Sequence, residues 1–272
     1  MRLHRRFALP SVCLACTLLA ACSPARETVA PATSPPSSAD SAALRVRADQ
    51  ALRPALESLV RDYEARTKQR ISLSFAPAAQ VRARMAQGDE IDAWLGVHQD
   101  ARPGRTSPQA IAQDRLCLLS APAVTVAPAT TLGTLLRKDV RLGVETVETK
   151  GPTSAWDATA RQVFERAEQL QSGAYQQIQS KVIGLPAGQT ADAAIRQGQI
   201  DVAIQGCISA SAHAAGTSLH VTPLSGALDT GLTYTITGRS SSMAFASFAH
   251  WLQSADESQK QWRAMGLQAV AH

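Results

Sequence analysis

The sequence predicts an α/β fold in which helices pack on open sheets, and three observations carry that prediction. Residues 44–99 read as one strand–helix–strand–helix–strand unit. From Arg115 to Gly206 strands and helices go on alternating. At 272 residues, 45% hydrophobic and 18% charged, the chain can bury one large core or two lobes, and its composition is neither disordered nor fibrous.

The first unit opens with the alternating strand Leu44-Arg45-Val46-Arg47 and passes through the polar turn Ala48-Asp49-Gln50-Ala51 into a helix. Its apolar residues Leu52, Ala55, Leu56, Leu59, Val60 and Tyr63 recur at the spacing of a helix face packed on a sheet. A second strand, Ile71 to Phe75, is followed by the small-residue turn Ala76-Pro77-Ala78-Ala79, a helix from Gln80 to Gln87 stopped by Gly88, and a third strand around Ala93-Trp94-Leu95. Two such strand-to-helix turns set two helix N-termini side by side at the carboxyl ends of the strands. An open α/β sheet binds its ligand there, and free N–H groups with helix dipoles favour an anion.

Past Gln99 a loop, Asp100 to Pro108, leads to a buried strand, Arg115 to Leu119. A short helix, Thr131 to Leu136, a strand, Val140 to Val144, and a polar loop, Glu145 to Thr153, come next. The following helix carries Trp156, Ala160, Val163, Phe164, Ala167 and Leu170 on one face. A strand, Lys181 to Leu185, a loop, Pro186 to Gln189, and a helix capped by Thr190 with Ala191, Ala194 and Ile195 inward end at Gly198. Ile200 to Gly206 reads as a central strand, and Leu219 to Leu224 and Leu232 to Thr237 as two more. The chain closes with helices carrying Phe245, Phe248, Trp251 and Leu252, then Trp262 and Met265 with Gly266 as C-cap.

The formal charge of +5 overstates the basicity of the folded part. Arg2, Arg5 and Arg6 stand in an acid-free leader, so of 27 basic residues 24 remain against 22 acids, a balance of +2. That is too small for a nucleic-acid footprint, and 4% aromatic residues leave little for base stacking. In the leader, Met1 to Arg6 is a basic n-region and Phe7 to Leu19 an apolar h-region, and Leu19-Ala20-Ala21-Cys22 resembles a bacterial lipobox. Residues 1–21 are therefore expected to be a signal peptide, with Cys22 lipidated on the periplasmic side of a bacterial membrane. Ser23 resembles the outer-membrane sorting pattern. Residues 22–42, rich in proline, serine, threonine and alanine, cannot bury a core and read as a tether reaching on the order of 25 Å. The folded part keeps Cys117 and Cys207, an even pair in an oxidising space, either bridged or separately buried.

Nothing in the sequence proposes catalysis. It has no Gly-x-Ser-x-Gly, no Ser-x-x-Lys and no His-Glu-x-x-His, and its one Cys-x-x-Cys, Cys13 to Cys16, lies in the leader. No two of His4, His98, His213, His220, His250 and His272 fall at metal-ligand spacing, and Trp156, Trp251 and Trp262 read as core.

The order of strand, small polar loop, Leu52-led helix, Ser74-Phe75-Ala76 with its small-residue loop, Gly88 and Ile91-Asp92-Ala93-Trp94-Leu95, continued collinearly to about residue 268, resembles the periplasmic molybdate-binding proteins, the solute receptors of molybdate ABC transporters. The resemblance implies a type II periplasmic-binding-protein fold: two lobes, each a mixed sheet flanked by helices, joined by a hinge. Lobe one is expected over about 43–115 and 225–272 and lobe two over about 116–224, with the strand at Leu116 crossing the hinge and both later strands returning into lobe one. It implies a monomer with no enzymatic activity and no cofactor, an ABC permease as partner, and a molybdate-like oxyanion as ligand. In such a pocket two serine hydroxyls, backbone N–H groups from two lobe-two loops and a tyrosine hydroxyl surround a tetrahedral dianion.

Here the serine positions fall on Ala51, beside Gln50, and on Ala78, beside Ala79; the lobe-two donors fall near Thr153 and Thr190; and the tyrosine falls on Gly206, next to Gln205. The scaffold matches and the hydroxyls do not. Each missing donor to a charged oxygen costs about 1.5–3 kcal/mol, so a weakened oxyanion pocket is expected. Gln50, Gln80, Gln189, Gln205, Arg47 and Lys150 are candidates to compensate, whereas Asp49 opposes an anion if it faces the cleft. Two other readings stand beside this one: a lipoprotein of the same fold that binds another small polar solute or acts as a sensor, and a hydrolase.

Overall fold

The computed structural model describes residues 43–76, 80, 84, 87–88, 91–97, 104–147, 155–156, 158–186 and 189–270. The leader, Cys22, the tether, Lys150 and most of the expected 80–87 helix lie outside them; Gln80 and Arg84 are helical. In chain order the strands are β1 (Leu44–Asp49), β2 (Ile71–Ala76), β3 (Ala93–Gly96), β4 (Gln109–Asp114), β5 (Leu116–Ser120), β6 (Leu142–Val147), β7 (Ala155–Trp156), β8 (Val182–Leu185), β9 (Val202–Gly206), β10 (His220–Pro223), β11 (Leu232–Gly238) and β12 (Gln268–Ala269). The helices, labelled consecutively, are α1 (Arg53–Thr67), α2 (Thr131–Leu136), α3 (Ala158–Leu170), α4 (Ala174–Gln179), α5 (Ala191–Arg196), α6 (Cys207–Ala214), α7 (Met243–Ser254) and α8 (Asp256–Ala264).

Two mixed sheets flanked by helices make two lobes. The first sheet has the order β12-β4-β11-β3-β1-β2, with β1 parallel to β2 and β3 and with β11 antiparallel to β3 and β4. The second has the order β10-β5-β9-β6-β7, with β8 on β6 as well. In it β6, β8 and β9 run parallel, and β5 is antiparallel to β9 and β10. Both sheets belong to one compact unit, Ser41–His272.

Packing follows the apolar periodicity. Helix α1 starts with Pro54 in its first turn, where no N–H is needed, and buries Ala55, Leu56, Leu59, Val60 and Tyr63 on the first sheet. Each fully buried leucine there contributes about 1.5–3 kcal/mol. Tyr63 meets Phe248 edge-on at 5.1 Å and lies 5.3 Å from Trp251, which ties α1 to α7. Trp262 is fully buried, and its indole N–H donates to Leu252 O at 3.2 Å, closing the α7–α8 pair. In the second lobe Leu116, Leu118, Leu142, Val144, Val163, Phe164, Ala167 and Val202 form the main core. A second cluster around Leu119, Leu185, Ala194 and Ile195 lies against α5.

Several expectations need correction. Trp156 does not lead the following helix: it pairs with Thr146 across β6 and β7, and α3 begins at Ala158. Leu170 ends α3 and is 52% exposed, because the chain turns away there. The strand expected from Val140 starts at Leu142. Of the two strands expected to return to lobe one, only β11 does; β10 pairs with β5, Val221 opposite Leu119, and stays in the second sheet. Strand β4 and helices α4 and α6 were not anticipated. Thr190 stands at the N-cap position of α5 in extended conformation, but its hydroxyl makes no cap bond and joins the Asp192 carboxylate instead.

Candidate ligand cleft

The registers alone locate a cleft. In the first sheet Asp49 pairs with Ala76 and Ala48 with Leu95, so β1, β2 and β3 end at one edge. Antiparallel pairing of Leu232 with Asp114 puts the start of β11 and the end of β4 at that same edge. In the second sheet Glu145 pairs with Leu185, and Gly206, the end of β9, pairs with Leu116, the start of β5. The two crossovers, Asp114 to Leu116 and Leu224 to Leu232, therefore join the two edges where the parallel strands end. Open α/β sheets take ligands at that place.

The crossovers are tied to one another. Arg115 Nε donates to Asp229 Oδ2 at 2.8 Å and its Nη2 to Leu224 O at 3.0 Å. Asp229 Oδ1 accepts from Leu116 N at 3.0 Å and from Gly231 N at 3.3 Å. Cys207 N donates to Arg115 O at 2.9 Å, and the Cys117–Cys207 disulfide, with Cα atoms 4.9 Å apart, holds the base of α6 to β5. Of two grooves near Asp229 and Thr230, one of about 670 Å³ is lined by α3 and crossover residues, and one of about 260 Å³ by the end of β4 with Asp114, the crossovers, the start of β11 and Gln268.

At the cleft floor α6 packs on the single 3-10 turn Gln50–Leu52, and Ile208 reaches the core of the first lobe beside Leu232. Asp49 Oδ1 accepts from Ala51 N at 3.0 Å, closing that turn. Across the lobes Asp114 Oδ2 accepts from Ile208 N at 3.1 Å, capping α6 from the last residue of β4. Burial pushes the Asp114 carboxyl up to about 6; the N–H groups of Ile208 and Arg115 oppose the rise, and the charge of Asp229 adds to it. Burial also raises the Tyr234 phenol, with Asp49 and Asp114 both adding to the effect.

The structure brings some of the sequence-predicted residues to this floor. Gln50 is exposed and Ala51 buried on the turn, and Gly206 caps α6 against it. A Cβ on Gly206 would lie 2.6 Å from Asp114 Oδ2 and 2.9 Å from Leu232 Cδ2, so a side chain where the resemblance puts a tyrosine would have to displace both of those side chains. Gln205 is engaged with His213 Nδ1 at 3.1 Å, and Gln189 with Gln199. Arg47 Nε donates to Ser74 Oγ at 3.4 Å, and Arg53 lies 4.3 Å over the Phe75 ring. Thr190 begins α5, which packs on α6. Ala78, Ala79 and Thr153 lie outside the described residues. Sequence reasoning missed Asp114 and Ile208; the only signal was an acid two residues ahead of the buried run Leu116 to Ser120. Among the described residues no group of three or more metal-ligating side chains comes together, and no helix is long and apolar enough to cross a membrane.

A family model described as bacterial extracellular solute-binding protein matches residues 44–268. No curated protein sequence matches the chain. Among solved structures, Peb3 from Campylobacter jejuni is similar at a TM-score of 0.62 and 14% identity, covering 84% of this chain and 100% of that one. The sulfate-binding protein SubI from Mycobacterium tuberculosis H37Rv is similar at 0.60 and 16%, covering 84% and 87%. The periplasmic molybdate-binding protein of Azotobacter vinelandii is similar at 0.56 and 13%, covering 84% and 100%. At such identities the likeness is one of fold.

Proposed function

This chain belongs to the bacterial extracellular solute-binding protein family, and from that premise we propose that it is a lipid-anchored receptor that closes on a small anionic solute and hands it to an ABC permease. The observation that carries the reading is the register: the carboxyl ends of the parallel strands of both sheets meet across two short crossovers. A ligand held there touches both lobes, so binding energy favours closure. Similar folds that bind L-phospholactate, sulfate or molybdate support an oxyanion as the chemical class. The sequence Leu19-Ala20-Ala21-Cys22 supports anchoring through Cys22, followed by a tether over residues 23–42. Ala51 and Gly206, where the resemblance expects hydroxyls, make molybdate a weak ligand. The ligand set in this reading is Gln50, Ala51, Ala78, Ala79, Thr153, Thr190 and Gln205, with backbone N–H groups as the principal donors.

Isothermal titration of the domain from Ser41 onward with molybdate, tungstate, sulfate and phosphate tests it, run beside Ala51→Ser and Ala78→Ser. Binding of at least one oxyanion, with molybdate strengthened by the serines, is expected; no oxyanion bound by any variant moves the ligand to another class. A second reading, a receptor for another polar solute or a sensor without transport, is favoured by one fact: Asp49 already holds the Ala51 N–H.

A further inference from the structure

Helix α6 adjoins each element that carries a described residue of the proposed ligand set. It packs on the turn Gln50–Leu52 of the first lobe and on α5, which opens at Thr190, and its His213 Nδ1 lies 3.1 Å from Gln205 Oε1 at the end of β9. Its own hold on the fold is slight. Eight residues make a helix that is marginal by itself, and in Cys207-Ile-Ser-Ala-Ser-Ala-His-Ala only Ile208 is both large and apolar. Gly206 stands at the N-cap position, where glycine has no side chain to satisfy the first N–H groups. The first turn is therefore held from outside the helix. Cys207 N donates to Arg115 O at 2.9 Å, Ile208 N donates to Asp114 Oδ2 at 3.1 Å, and the Ile208 side chain packs on the first-lobe core. The one covalent anchor is the bond from Cys207 to Cys117, the second residue of β5 past the crossover. Asp114 and Arg115 lie on that crossover too, so every anchor of the first turn gathers where the lobes are joined.

We infer that α6 is the positioning element of the cleft and that its disulfide is a redox-sensitive lock. Oxidised, the lock holds the Gln50–Leu52 turn, the start of α5 and Gln205 in one arrangement. Reduced, it frees the first turn of α6 and loosens all three. This deepens the reading of the joined strand ends as the ligand cleft, and its ligand-binding consequence rests on that reading. The lock opens by thiol–disulfide exchange with an external dithiol. Cys117 is 1% exposed and Cys207 half-buried, so a thiolate of the dithiol attacks Cys207 Sγ, and Cys117 leaves and takes a proton. The second thiol of the reagent then displaces Cys207, which takes the second proton. The dithiol ends as a disulfide, and two electrons and two protons have passed to the receptor.

Amide hydrogen exchange over short times, in the domain from Ser41 onward before and after reduction by dithiothreitol, tests the lock without any ligand. Reduction is expected to speed exchange at residues 211–215 and at Ala51 by about tenfold or more, while residues 57–63 of α1 stay unexchanged in both states. The double variant Cys117→Ala, Cys207→Ala is expected to match the reduced protein with no reagent present. Unchanged exchange in α6 overturns the lock. So does an α6 that opens only together with α1, because the bond then stabilises the fold as a whole. Sulfate and phosphate titrations of the two redox states read the consequence: binding about tenfold weaker in the reduced protein is expected, the value of about one hydrogen bond to a charged oxygen. Faster exchange in α6 with affinity unmoved overturns the positioning role. Neither anion bound in either state counts against the anion reading alone, and the exchange result still decides the lock.

Discussion

Asp114 links the fold to pH in a way that can be measured. Its carboxyl is 5% exposed, and burial lifts it from 3.8 to about 6. The native state therefore keeps the proton over a window in which the unfolded chain has lost it, and stability attributable to this group falls as pH rises from about 4 to about 6. The gap of about 2.2 pH units, 6 minus 3.8, corresponds at 1.36 kcal/mol per unit to about 3 kcal/mol. About 2 kcal/mol of that falls between pH 4.5 and 6, on the same arithmetic. Asp92 and Asp201, held below the usual carboxylate range although burial opposes it at both, have the opposite dependence: their Arg45 and Arg141 partners stabilise the protein above the unfolded pKa and are lost in acid. Both terms are shared by wild type and Asp114→Asn, so they cancel in the difference. Urea denaturation of the two proteins from pH 4.5 to 7.5 is the assay. The stability difference is expected to move in favour of the variant by about 2 kcal/mol over that range, or by roughly 4–8 °C in Tm for a domain of this size. Parallel stability curves would refute the argument that Asp114 carries a buried charge at the hinge.

Other predictions rest on single features. Cys22→Ser is expected to abolish palmitate labelling and detergent-phase partitioning, and an unlabelled wild type would end the lipoprotein reading. Non-reduced peptide mass spectrometry should recover Cys117 joined to Cys207; because the bridge closes a separation of 90 residues, reducing it should cost about 2–5 kcal/mol, whereas two freely alkylated thiols would exclude it. Gly206→Ala, whose Cβ would press on Asp114 and Leu232, should destabilise by about 1–3 kcal/mol, whereas Gly133→Ala in α2 meets nothing within 4 Å and should stabilise by up to about 1 kcal/mol. Equal effects of the two substitutions, read by chemical denaturation, would contradict the close approach at Gly206.

What the sequence discloses follows from how much of each element is decided locally. The face of α1 is written in the spacing of Leu52, Leu56, Leu59 and Tyr63, and these residues are buried as that spacing requires. Strand β4 is not written so: Gln109-Ala-Ile-Ala-Gln-Asp has weak strand propensity and is held by pairing with β11, a partner more than 100 residues away. Trp156 fits a helical face by spacing, yet the antiparallel partner Thr146 claims it. Helix α6 has few large apolar residues and depends on Ile208 reaching the other lobe, on the disulfide, and on Asp114 as its cap. The turns of the cleft could be read from local chemistry. Asp114 could be placed only once chain crossing had brought β4, β9 and β11 together.

The central proposal, an anion receptor with Ala51, Ala78 and Gly206 where the resemblance expects hydroxyls, is tested most directly by titrating the unmodified domain with molybdate beside Ala51→Ser and Ala78→Ser. The account predicts weak molybdate binding, strengthened about tenfold by each serine, the value of one hydrogen bond to a charged oxygen. Nanomolar molybdate affinity in the unmodified chain would contradict it.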